Sequence, residues 1–288
     1  MEFPNYFADA DADMKEALFV LFGVPFEKTS SFRHGADKAP FEVRQASWNF
    51  ERYDLRTGVS IEKIALHDAG DLAVQDLTSE EMFVKTRMFT STILEQHKIP
   101  IAIGGDHSIT PGIINAFPKD IAVLSLDAHM DFRQQYKNDT YNHACVIRRI
   151  AEHLPIENIM VLGIRSAEKE EYDQAQQQGL FFRDAFMISK YGIDKIIKES
   201  KMQLNGKSIY LTIDIDIIDP GYAPGTSTPE PFGLTPYEVL KIIDAFAPQM
   251  IGCDLVEVCP PYDHGQTAVL AAKLIRTCIS EIWRNKKA

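Results

Sequence analysis

The sequence predicts an α/β protein: a three-layer α/β/α sandwich around one mainly parallel sheet of eight strands. Three observations point there. Short apolar or β-branched runs alternate with longer amphipathic stretches from end to end, the pattern of repeated strand–helix–strand units. Most of these runs are apolar almost without interruption, as strands covered on both faces must be. No linker, low-complexity run or internal repeat breaks the 288 residues, so one domain, residues 1–288, is expected.

In chain order the expected strands are ALFVLFGV (17–24), IALHDAG (64–70), IPIAIGG (99–105), IAVLSLD (121–127), IMVLGIR (159–165), LFFRDAF (180–186), SIYLTIDID (208–216) and IGCDLVEV (251–258). Amphipathic stretches at 79–98 and 266–287 are the clearest helices. Pro and Gly gather in three loops, 23–40, 219–236 and 259–265.

Composition narrows the function. Hydrophobic content of 45% and charged content of 25% describe an ordinary globular protein. A formal net charge of −11 argues against nucleic acid or an anionic membrane as partner, both of which attract basic surface. It leaves room for cationic small molecules. No apolar run approaches the roughly 20 residues that span a membrane. Cys145, Cys253, Cys259 and Cys278 form no CxxC pair, and they read as reduced thiols of a cytoplasmic protein.

In an open parallel sheet, ligands bind beyond the carboxyl ends of the strands, and the polar clusters follow the apolar runs. After IPIAI comes GGDHS, where Gly104 and Gly105 permit a tight turn, His107 lies near the strand end and Ser108 can cap the next helix. A lone Asp-His pair of this kind is more often structural than catalytic. After IAVLSL come Asp127, His129 and Asp131 at alternate positions, which an extended backbone would point to one side. After SIYLTI come Asp214 and Asp216, again at i and i+2. Asp219, just before Pro220, reads as a turn-former. Crowded carboxylates and imidazoles would repel or stay unsatisfied unless a cation held them. Four carboxylates and two imidazoles exceed one tetrahedral zinc and suit a dinuclear site. An oxygen-rich set without thiolate favours Mn²⁺ over Zn²⁺.

Taken as an ordered set, GGDHS, DAHMD and DIDIIDP resemble the signature motifs of the ureohydrolase family, which contains arginases and agmatinases. The likeness runs from GVPFEKTSSFRHGADKAP near the start to VEVCPPYD near the end. The resemblance implies the three-layer sandwich already expected from the strand pattern. It also implies two Mn²⁺ per subunit. One would be held by His107, Asp127, Asp131 and Asp214, the other by His129, Asp127, Asp214 and Asp216, so that Asp127 and Asp214 bridge. YNHACVIRR and APGTSTPEPFGLT look more like agmatinases than arginases. His143 falls on the family's catalytic histidine and Glu257 on its guanidinium-binding glutamate. The family also implies a homo-oligomer, a trimer or hexamer. Two positions depart from its pattern. Arg133 stands where arginases carry an Asn, and is expected to lie outward or pair with an acid such as Asp139. Ser227 replaces a Gly in a loop expected near the mouth.

The expectation is a binuclear manganese hydrolase that cleaves a guanidino C–N bond and releases urea, with agmatine giving putrescine. Water activated between the cations attacks the guanidino carbon. Asp131 carries a proton towards the leaving amine, His143 serves as acid or proton shuttle, and Glu257 orients the guanidinium. A small cationic guanidino compound fits the formal charge of such a site. Arginine, guanidinobutyrate and aminopropylagmatine are the alternative substrates. The rivals are a mononuclear zinc deacetylase on the same fold and a non-catalytic binding protein. Cys145, two residues past His143, invites a nucleophile reading that lacks a second base.

Overall fold

The computed structural model describes residues 3–287. Every expected strand forms: β1 (Phe19–Val24), β2 (Leu66–Asp71), β3 (Ile99–Gly104), β4 (Ala122–Leu126), β5 (Ile159–Ile164), β6 (Phe181–Asp184), β7 (Ile209–Asp214) and β8 (Met250–Val256). They make one sheet in the order β2-β1-β3-β8-β7-β4-β5-β6, and all seven pairings are parallel. The helices are α1 (Ala39–Ser47), α2 (Ser79–Glu95), α3 (Thr110–Ile114), α4 (Val146–His153), α5 (Lys169–Gln178), α6 (Ala185–Tyr191), α7 (Ile193–Gln203), α8 (Pro236–Phe246) and α9 (Gln266–Lys287). Among the described residues, no helix is long and apolar enough to cross a membrane.

Alternation along the strands builds three layers. Phe19 and Leu21 of β1, Ile101 and Ile103 of β3, Leu124 of β4 and Leu211 of β7 face one side. There they bury the apolar stripes of α1 and of α6 to α9. Val20, Phe22, Ala102, Val123 and Tyr210 face the other, against α2 to α5. Both faces of the six inner strands are covered, which is why those strands read as nearly unbroken apolar runs. Each such side chain, fully buried, contributes about 1.5–3 kcal/mol. Truncating Leu211 to Ala would cost about 2–5 kcal/mol.

Helix ends follow local chemistry. Thr78 starts α2 with a capping box: its hydroxyl accepts from Glu81 N–H at 3.2 Å, and Glu81 Oε2 accepts from Thr78 N–H at 2.8 Å. The helix stops at Glu95, short of the expected 98, because His97 adopts φ +57° and turns the chain into β3. β6 is shorter than expected too. Asp184 Oδ1 accepts from Met187 N–H at 2.6 Å, which starts α6 at Ala185.

The connection between β3 and β4 decides where chemistry can occur. Consecutive in sequence, they leave between them a gap that β7 and β8 fill later. The carboxyl ends of β3, β8, β7 and β4 therefore stand side by side, about 5 Å apart. Such a switch in winding direction is where open α/β sheets leave a crevice.

Candidate metal centre

Those four adjacent strand ends deliver all the candidate residues but His143. His107 follows β3, Glu257 follows β8, Asp214 ends β7 with Asp216 just beyond, and Asp127, His129 and Asp131 follow β4. His143 arrives from the segment before α4. A cavity of about 170 Å³ is lined by His107, His129, Asp131, His143, Asp214 and Glu257, among others. Asp127 and Asp216 lie behind it, fully buried against the two imidazoles.

The pleat does not produce this convergence, contrary to the alternate-residue expectation. β4 ends at Leu126, and Asp131 takes φ +49°. Asp216 sits in a 3₁₀ turn, Ile215–Ile217. Loops bring the groups together, and backbone hydrogen bonds fix them. Asp127 Oδ1 accepts from His129 N–H at 2.6 Å, Asp214 Oδ1 from Asp216 N–H at 2.9 Å, and Asp216 Oδ1 from Ala128 N–H at 3.0 Å. In each aspartate the second oxygen, Oδ2, is turned into the cluster.

The imidazoles complete it. His107 Nδ1 lies 3.1 Å from Asp127 Oδ2 and 3.4 Å from both Asp131 Oδ2 and Asp214 Oδ2. His129 Nδ1 lies 2.9 Å from Asp216 Oδ2 and 3.7 Å from Asp127 Oδ1. Two ligand groups result, His107 with Asp127 and Asp214, and His129 with Asp127 and Asp216. Asp127 belongs to both. The second nitrogen of His107 sets its tautomer. Nε2 is 3.1 Å from Thr212 Oγ1, whose one proton goes to Asp254 Oδ1 at 2.5 Å. His107 must therefore donate from Nε2, which aims Nδ1 at the carboxylates. His129 Nε2 similarly faces Glu230 Oε1 at 3.8 Å.

This donor set fits divalent cations. His107 Nδ1, Asp127 Oδ2 and Asp216 Oδ2 are buried without a hydrogen-bond partner, and such atoms are costly unless something positive meets them. Electrostatics agree. Burial lowers both imidazoles' proton affinity, yet the facing carboxylates push His107 and His129 well above the ordinary histidine value. Burial, with Asp127 nearby, lifts Asp131 to about 7. Burial and the charges of Asp216 and Asp127 raise Asp214 well above the carboxylate range. Asp127 goes the other way: burial opposes it, but His107 and His129 hold it low. The cluster gathers positive charge wherever it can, as protons or as metal.

Glu257 takes φ +64°, an uncommon backbone state for a non-glycine residue that marks functional sites. Its Oε1 accepts from His107 N–H at 2.7 Å. Burial, with the Asp106 charge, lifts it to about 8. Ser227 is buried, in a loop whose next residue, Thr228, lines the cavity. The Ser227 hydroxyl favours the ionised Glu257 without making a hydrogen bond.

Several expectations need correction. Ser108 does not cap the helix after β3; Asp106 does, accepting from Ser108 N–H at 3.1 Å. Gly105 is required by close approach rather than by a turn, since a Cβ there would lie 2.0 Å from the Phe26 carbonyl oxygen. Arg133 lines the cavity instead of lying outward, and the other half of the expectation holds in that it pairs with acids, though not with Asp139. It pairs with Glu168 at 3.7 Å and Glu171 at 3.5 Å, stacked 4.8 Å from the Tyr136 ring centre. Asp139 is engaged elsewhere, by Ser79 Oγ at 2.7 Å and Tyr141 N–H at 2.8 Å. Asp219 is a turn-former as expected, accepting from the N–H groups of Gly221, Phe232 and Gly233. The Cys145 thiol is buried and pushed up to about 12, which removes it as a nucleophile.

Sequence reasoning missed Arg165, Glu168 and Glu171. The Arg165 guanidinium donates to the carbonyls of Asp216 and Glu230, tying two site loops together. Nothing local distinguishes Glu168 and Glu171 from an ordinary helix start, or Arg165 from the ordinary end of a strand.

A family model described as "Arginase family" matches residues 17–280. An agmatinase of Bacillus cereus is 34% identical over 277 residues, covering 94% of this chain and 93% of the relative. Among solved structures, the agmatine ureohydrolase of Thermoplasma volcanium superposes with a TM-score of 0.94 at 38% identity, over 99% of this chain and 96% of the other. The proclavaminate amidino hydrolase from Streptomyces clavuligerus gives a TM-score of 0.92 at 27% identity, over 98% of both chains. The chain belongs to the arginase family.

Proposed function

We propose that this protein is a binuclear manganese ureohydrolase that converts agmatine and water to putrescine and urea, the whole chain acting as one domain. The observation that carries the reading is the sharing of Asp127 between two imidazole–carboxylate groups, with Glu257 lining the same cavity. His107, Asp127, Asp131 and Asp214 would hold one ion, and His129, Asp127, Asp214 and Asp216 the other. Bound there, the cations supply Lewis-acid activation of water and of the guanidino carbon.

The chain's own groups do the rest. Glu257 positions the guanidinium by charge-assisted hydrogen bonds. Asp131, deprotonated while it would hold the ion, can take up a proton in turnover and carry it towards the leaving amine, and His143 exchanges protons with solvent at the cavity mouth. Along the wall, Arg133 is neutralised by Glu168 and Glu171, so the mouth keeps a net negative charge. That favours agmatine's distal ammonium over the carboxylate of arginine or guanidinobutyrate. The four free, buried thiols suit a cytoplasmic protein, and a trimer or hexamer remains part of the reading.

Urea release measured across agmatine, arginine, guanidinobutyrate and aminopropylagmatine, with Mn²⁺ supplied, tests this. Agmatine should be the best substrate. Preference for a carboxylated compound would reassign the substrate, and no urea from any of them would overturn the ureohydrolase reading.

A further inference from the structure

Behind His143 lies a chain of hydrogen bonds that the mechanism above does not use. Thr29, in the loop after β1, places its hydroxyl 2.9 Å from Asp106 Oδ2, 3.0 Å from His143 N–H and 3.2 Å from His143 Nδ1. Asp106 is fully buried. Thr29 N–H also donates to Oδ2, at 3.0 Å, while Ser108 donates to Oδ1 through both its N–H and its hydroxyl. With four donors aimed at its two oxygens, this carboxyl group has no position left for a proton.

We infer that Thr29 and Asp106 are positioning residues that fix His143 as the Nδ1–H tautomer and present Nε2 to the cavity. A hydroxyl has one proton to give, and Asp106 can only accept, so the Thr29 proton points at Asp106. The lone pairs of Oγ1 then face His143, and the backbone N–H takes one of them. For Nδ1 to approach the other at 3.2 Å, Nδ1 must carry the hydrogen. Nε2 is left bare in the neutral ring, so His143 first accepts a proton there and later returns it. The Asp106 charge, relayed through Thr29, supports the imidazolium formed in between. The arrangement is the carboxylate-oriented histidine of hydrolytic triads with a hydroxyl interposed.

The kinetic part of this inference rests on the ureohydrolase reading; the tautomer does not. Thr29→Val keeps the side chain's shape and removes the hydroxyl. It should lower kcat by about 10- to 100-fold, as loss of an orienting partner usually does, with KM and metal content little changed. Thr29→Ser should restore most of the rate, which a shape defect would not allow. Neutron diffraction from the metal-loaded protein at about pH 8, where the ring is neutral, reads the proton itself. Deuterium on Nδ1 in the wild type is expected. Deuterium on Nε2 alone, or a Thr29→Val enzyme with full kcat, would overturn the inference. A wild type that releases no urea would instead remove the ureohydrolase reading and leave the neutron result to decide the tautomer.

Discussion

The backbone N–H of His107 donates to Glu257 Oε1 at 2.7 Å, while Glu257 N–H donates to the Gly105 carbonyl at 2.8 Å. The strand ends of β3 and β8 are thus cross-tied at the residue proposed to bind the guanidinium. Glu257 holds the metal-side loop in place as well as facing the cavity.

Glu257→Gln separates these roles. The amide oxygen can still accept from His107, so both metal equivalents should remain. The charge that meets the guanidinium is lost, and kcat/KM should fall by about 10²-fold or more, the cost of unpairing a buried cation. Steady-state kinetics with metal analysis on one preparation checks this. Metal loss matching activity loss would make Glu257 a scaffold residue only.

Asp127→Asn should lower occupancy at both metal positions, because one of its oxygens faces each imidazole. Asp216→Asn should mainly empty the position beside His129. Total manganese per chain in the two variants is the measurement, and equal loss would contradict the sharing of Asp127.

Much of this was legible in the sequence, for one physical reason. Strands buried on both faces must be apolar throughout, so the six inner strands stood out, and ligand residues had to follow them; the edge strands β2 and β6 are only partly buried and carry polar residues. What stayed hidden is tertiary. The backbone conformation of Asp131 is set by loop packing, and the pairing of Thr29 with His143 spans 114 positions. Arg133 found Glu168 and Glu171 because α5 begins beside the cavity, which no local pattern announces. The expectation of an extended ligand strand failed because β4 ends before its first aspartate.

Substrate charge gives the next outcome. Agmatine should exceed arginine in kcat/KM by about 10²-fold or more, since a mismatched buried charge costs several kcal/mol. Arg133→Ala should preserve that preference, because the residue's charge is already answered by Glu168 and Glu171. A wild type that favours arginine and loses this in the variant would assign Arg133 to a substrate carboxylate.

Metal affinity should depend on pH with a definite sign. Asp131, lifted to about 7, keeps its proton below that value in the metal-free protein, and Asp214, raised well above the carboxylate range, also favours its protonated form. A cation binds only the deprotonated form. Affinity for Mn²⁺ should therefore be lost as pH falls through about 7, roughly tenfold per unit for each proton displaced. Calorimetric titrations at about pH 6 and about pH 8, in buffers of different ionisation enthalpy, would register the released protons. An affinity independent of pH would contradict the charge assignment of the cluster.

The central claim is that two cations, sharing Asp127, make this chain a hydrolase of guanidino compounds. Stripping the protein with a chelator and adding Mn²⁺ stepwise while following urea release from agmatine tests it most directly. Urea should be absent at the start, and the rate should rise to a plateau at two equivalents per chain. A plateau at one equivalent, undiminished release without metal, or no release at any loading would contradict it.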